Sequence, residues 1–95
     1  MHSFDWLNDF KKTGGINLLK KSRHLILDWK NCDFNLSSNV WNELLIAKRI
    51  INLSTNFDYY GTTASKEFKT IVTNLIFFHY KNLLFLKNFY LEKHD

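Results

Sequence analysis

The sequence predicts an all-α fold, a single-domain four-helix bundle over residues 1–95 that ends in a long C-terminal helix. Three observations carry this expectation. Apolar residues recur three and four positions apart over most of the chain, while sustained alternation with period two is missing. There is no proline and there are only three glycines, Gly14, Gly15 and Gly61, so the strongest chain breakers fall at two places and mark the turns. Ser65 to Glu92 then reads as one helix that is apolar on nearly every side. A chain of 95 residues with 45% hydrophobic content and nine Phe is too short for two domains and too apolar for disorder.

Taken in order, the first helix has Ser3 in position to cap it and carries Phe4, Trp6, Leu7 and Phe10. It ends at Lys11 and Lys12 before the Gly14 stop. The second, Asn17 to Asn31, turns Leu18, Leu19, Ser22, Leu25, Ile26 and Trp29 to one side and its basic residues to the other. Asn31 to Ser38 has the composition of a loop, from which Phe34 and Leu36 tuck into the core and Ser37 or Ser38 caps the next helix. That third helix, Asn39 to about Ser54, shows Val40, Trp41, Leu44, Leu45, Ala47, Ile50 and Ile51, an arc wide enough to touch at least two neighbours. Asp58-Tyr59-Tyr60-Gly61 reads as a turn, with Thr62 or Thr63 capping the terminal helix.

The terminal helix has two apolar stripes. Phe68, Val72, Leu75, Phe78, Phe85 and Phe89 form the expected core side, and Thr73, Phe77, Tyr80, Leu84 and Leu91 run along the opposite side. A surface helix needs only one apolar face, so the second stripe is either covered by other helices or offered to a partner. The candidate partner-binding residues are therefore Phe77, Tyr80, Lys81, Leu84, Lys87 and Tyr90.

Thirteen Lys and Arg against nine Asp and Glu leave a net charge of +4. A turn at Gly14-Gly15 would gather basic residues of the Lys11 to Lys30 region, so Lys20, Lys21, Arg23 and Lys30 are candidates for tracking a nucleic-acid backbone. Solvated lysines on two helix faces are the plainer reading, since specific base contacts lean on arginine.

Catalytic and metal signatures are missing. The histidines at positions 2, 24, 79 and 94 do not recur at ligand spacing, so neither a metal nor another cofactor is expected. His79 reads as a core histidine bonded to a backbone carbonyl or to Asn82. Cys32 lacks any sign of an oriented base, and Gly14-Gly15 lacks the continuation of a phosphate loop. The chain is expected not to be an enzyme. Asp5 and Asp9 stand where a signal peptide needs positive charge, and Ile71 to Leu91 is broken by lysines and asparagines, so a cytoplasmic protein with no transmembrane segment is expected. High Asn, Ile, Lys, Phe and Tyr usage suggests an AT-rich coding sequence of the bacterial mobile-element or phage sort.

The run Ile71-Val72-Thr73-Asn74-Leu75-Ile76-Phe77-Phe78-His79-Tyr80-Lys81-Asn82 resembles a helix of the immunity proteins of pediocin-like bacteriocins in its apolar spacing and its Phe, Tyr and Asn placement. Small size, basic charge and scarcity of cysteine are similar to that family as well. The resemblance implies an antiparallel four-helix bundle and a toxin-neutralising role. Immunity proteins of contact-dependent growth inhibition systems and phage inhibitors of host nucleases share this general description. The expected function is thus stoichiometric protein binding, with a toxin or nuclease as partner, and a homodimer as a further use of the same stripe. The alternative is a helical nucleic-acid-binding module using the Lys11 to Lys30 region.

Overall fold

A computed structural model describes residues 2–32 and 41–94, with side chains through residue 87. These residues form five helices and no strand: α1 (Trp6–Thr13), α2 (Ile16–Asn31), α3 (Glu43–Thr55), α4 (Phe57–Tyr60) and α5 (Lys66–His94). The all-α expectation holds. The helix count differs, because the Asp58 to Gly61 turn is itself a helical turn closed by the Gly61 N–H on the Phe57 carbonyl at 2.8 Å. A Cβ on Gly61 would sit 2.5 Å from the Phe57 ring, so the tightness of this corner requires glycine.

The α1–α2 hairpin is set by two glycines in succession. Gly14 and Gly15 have φ of 77° and 97°, a left-handed backbone that side-chain-bearing residues avoid, and the Gly14 N–H closes α1 on Phe10. Ser3 does not cap α1 as expected. Asp5 holds the cap position, and the Ser3 hydroxyl instead donates to the Asp5 carboxylate at 2.7 Å. Between them Phe4 adopts φ 63°, a strained value for an aromatic residue, held because its ring is buried edge-on against Trp6 and Trp29.

α3 is the central member, in contact with α1, α4 and α5. It begins at Glu43 behind Asn42, whose side-chain oxygen accepts the Leu45 N–H at 2.9 Å. Phe34, Leu36, Ser37, Ser38 and Val40 lie outside the described residues. The buried face runs through Ile46, Arg49, Asn52 and Leu53, whereas Leu44 and Ile51 of the expected arc point to solvent, Leu44 with 65% of its surface exposed. The polar members displace the apolar ones because their bonds are specific. Asn52 Nδ2 donates to the Ser3 carbonyl at 2.8 Å and to Asp5 at 3.0 Å, and Asn56 Nδ2 reaches Asn8 at 2.9 Å, so a ladder of amides ties α1 to α3.

The other end is closed by Tyr60, whose hydroxyl donates to the Leu53 carbonyl at 2.6 Å. Burial pushes its phenol pKa up. α5 is capped by Ser65, which accepts the Phe68 N–H at 3.1 Å, and not by Thr62 or Thr63. Those two are otherwise engaged, Thr62 with the Asp58 carbonyl and Thr63 with Arg23.

Truncating Ile46 or Leu53 to alanine should lower unfolding free energy by about 3 kcal/mol each, since both are fully buried. The same change at Leu44 or Ile51 should have an effect below about 1 kcal/mol. Urea denaturation of the four variants measures this contrast directly.

Candidate functional site on the outer face of the last helix

Which side of α5 faces outward is decided by its inward register. Phe68, Val72, Leu75 and His79 are buried, and Leu83 and Leu86 continue the line half-buried. Their steps of four, three, four, four and three average the helical repeat. The stripe expected from sequence, through Phe78 and Phe85, follows a repeat nearer 3.5 and drifts off the contact line by about 20° per heptad. Phe78 and Phe85 are consequently exposed, Phe85 by 67%, which corrects their placement in the core.

The register is pinned by a buried polar pair. Arg49 Nε donates to His79 Nε2 at 2.8 Å, and His79 Nδ1 lies 2.8 Å from the Leu75 carbonyl, so the neutral tautomer protonated on Nδ1 satisfies both contacts. The guanidinium lies over the rings of Trp29 and Trp41, 4.7 Å and 5.1 Å from their centres, and also donates to the His2 carbonyl at 2.9 Å. Burial lowers the Arg49 pKa to about 10 and, with the adjacent Arg49 charge, lowers that of His79 to about 4. At neutral pH the pair is one cation and one neutral imidazole. The carbonyl-bonded core histidine was legible in the sequence, but its arginine partner was not.

On the opposite side, Phe77, Tyr80, Lys81, Leu84 and Lys87 are exposed together, Phe77 by 60%. They are five of the six candidate partner-binding residues. The side chain of the sixth, Tyr90, lies outside the described residues. Thr73, Ile76, Phe77 and Tyr80 bound a shallow groove of about 300 Å³. From Tyr80 through residue 87 no side chain is fully buried, and Leu83 and Leu86 pack half-buried against the core.

The basic residues of the hairpin converge only in part, Lys20 and Arg23 lining one groove with His24. Lys20, Lys21 and Lys30 are exposed, but Arg23 turns inward, with Nε on the Tyr60 carbonyl at 2.7 Å and a terminal nitrogen on Thr63 Oγ1 at 2.6 Å. Lys11 pairs with Asp58 at 3.0 Å, and that bond holds the Asp58 carboxyl below its usual range. Arg23 therefore straps α2 to the α4–α5 corner.

A cleft of about 560 Å³ opens between the end of α2 and α5, lined by Trp29, Cys32, Trp41, Leu75 and Phe78 among others. Cys32 is a free, exposed thiol. Among the described residues no group of three or more His, Cys, Asp or Glu could hold a metal ion, and no helix is long and apolar enough to cross a membrane. Comparison of the chain with protein-family models, curated proteins and solved structures finds no match.

Two predictions follow from these contacts. The folded-state pKa of His79 lies below its ordinary 6.5, so the unfolded chain binds the extra proton between pH 6.5 and about 4. Stability from neutral His79 should be complete above pH 6.5 and decline as pH falls toward 4, by about 3 kcal/mol. Urea midpoints across that range should drop for the native chain and stay nearly level for His79→Gln. Separately, Arg23→Ala should destabilise by about 1 to 2 kcal/mol, because it strands a backbone carbonyl, while Lys20→Ala with Lys21→Ala should leave the thermal midpoint nearly unchanged.

Proposed function

We propose that the chain is a small non-enzymatic immunity or inhibitor protein, which neutralises a toxin or nuclease by stoichiometric contact through the outer face of α5. One observation supports this reading above the others. Phe77, Tyr80 and Leu84 stand exposed in a row on a helix whose opposite side is anchored in the core, where a helix with no partner would carry Lys and Glu. Phe and Tyr on such a row are the residue types that anchor protein interfaces. The nucleic-acid alternative draws less support, because Arg23 and Lys11 are bonded within the fold and Lys20, Lys21 and Lys30 spread around α2.

The test is Tyr80→Ser combined with Leu84→Ser. Stability should change by less than about 1 kcal/mol, since neither residue is buried. A pull-down from the native source should recover a protein at near-equal amount with the native chain and not with the double variant. Retained capture by the variant would refute the assignment of the face.

A further inference from the structure

The outer face of α5 has a charge pattern as well as an apolar one. From Phe68 to Leu91 the sequence contains no acidic residue. In that stretch the exposed large side chains are Phe77, Phe78, Tyr80, Leu84 and Phe85, and the exposed ions among the described side chains are Lys81 and Lys87 alone. Phe78, Lys81 and Phe85 follow at helical spacing with Phe77 one step around, so a lysine stands at the crown of the helix between aromatic rings. A surface that covers this crown must be apolar and negative at once. A second copy fits poorly. A two-fold pairing of α5 with α5 centred on the crown at Lys81 would bring that lysine of both copies together, with no carboxylate between Phe68 and Leu91 to answer them.

An anionic bilayer surface meets both requirements. Aromatic rings settle at the depth of the headgroups, and lysine stems lie along the acyl boundary while their ammonium groups reach the lipid phosphates. The crown can approach such a surface without rearrangement, because Phe78, Lys81 and Phe85 are exposed while Leu83 and Leu86 pack on the core from the other side of the helix. We propose that the crown of α5, through Phe78, Lys81 and Phe85, docks the protein in the plane of an anionic lipid surface. The neighbouring row of Phe77, Tyr80 and Leu84 stays available for the protein contact proposed above, and the lipid contact does not depend on the identity of that partner.

The full chain is sedimented with vesicles of phosphatidylcholine alone and of phosphatidylcholine mixed with phosphatidylglycerol. It should bind the mixed vesicles, weaken with added salt, and leave the neutral ones unbound. Lys81→Glu should weaken binding roughly thirtyfold, since each lysine at such a surface contributes about a fivefold factor and the change reverses one. Phe85→Ser should weaken it about tenfold. Both variants should keep the native circular dichroism spectrum and thermal midpoint. Tyr80→Ser with Leu84→Ser should still bind vesicles, so loss of the protein contact and loss of the lipid contact are read separately. The proposal is overturned by absence of binding to mixed vesicles, by equal binding to both kinds, or by binding that neither crown variant weakens. A lipid-free dimer that Phe85→Ser dissolves would assign the crown to a second copy and overturn it equally.

Discussion

Arg49 is a cation held where water does not reach, and the arrangement of the helices answers that demand. Removing a guanidinium from water is unfavourable by several kcal/mol unless donors and faces are matched. Here α2 supplies Trp29, the segment leading into α3 supplies Trp41, α5 supplies His79, and the backbone ahead of α1 supplies the His2 carbonyl. Each comes from a different part of the chain. One side chain thereby sets where four segments meet, and with His79 held in place the rotation of α5 is no longer free. The outward position of Phe77, Tyr80 and Leu84, and of Phe78 and Phe85, follows from it.

The remaining joints use the same device in neutral form. Hydrogen bonds donated by the side-chain amides of Asn52 and Asn56 join α1 to α3, and Arg23 and Tyr60 tie α2 and α3 to the corner before α5. Apolar burial supplies most of the driving force but has no direction. Hydrogen bonds between elements do, and in a chain this rich in Phe and Leu they select one packing among several that would bury similar area.

The parts of the fold legible in the sequence were those governed by local rules. Helical periodicity and the paired glycines located α2 to within a residue of its start and marked the end of α1 at Gly14. Phe68, Val72 and Leu75 were recognisable as core. What escaped were choices made by tertiary contact. Nothing in the sequence around Arg49 announces that two tryptophans and a histidine will surround it. Leu44 and Ile51 read as core because nothing local says that Asn52 will be preferred on the inward face. On α5 both sides are apolar, so a drift in the repeat of one stripe was enough to place Phe78 and Phe85 wrongly. The outer stripe at Phe77, Tyr80 and Leu84 was legible because it depended only on spacing. Lys81 and Lys87 were legible with it, although the absence of acidic residues around them gained meaning only once that face was seen to be open.

The strap between the start of the chain and α3 has a consequence for synthesis. Asn52 bonds the Ser3 carbonyl across 49 residues, and Arg49 bonds that of His2 across 47. Residues made first therefore wait, unmatched, until α3 has left the ribosome. Arg49 in turn meets His79 only after a further 30 residues. During translation the α1–α2 hairpin can form from its own contacts, while α3 carries a hydrated cation that no early intermediate can enclose. A nascent chain halted before His79 should therefore still be sensitive to protease around α3, with protection arriving in a single late step as α5 emerges.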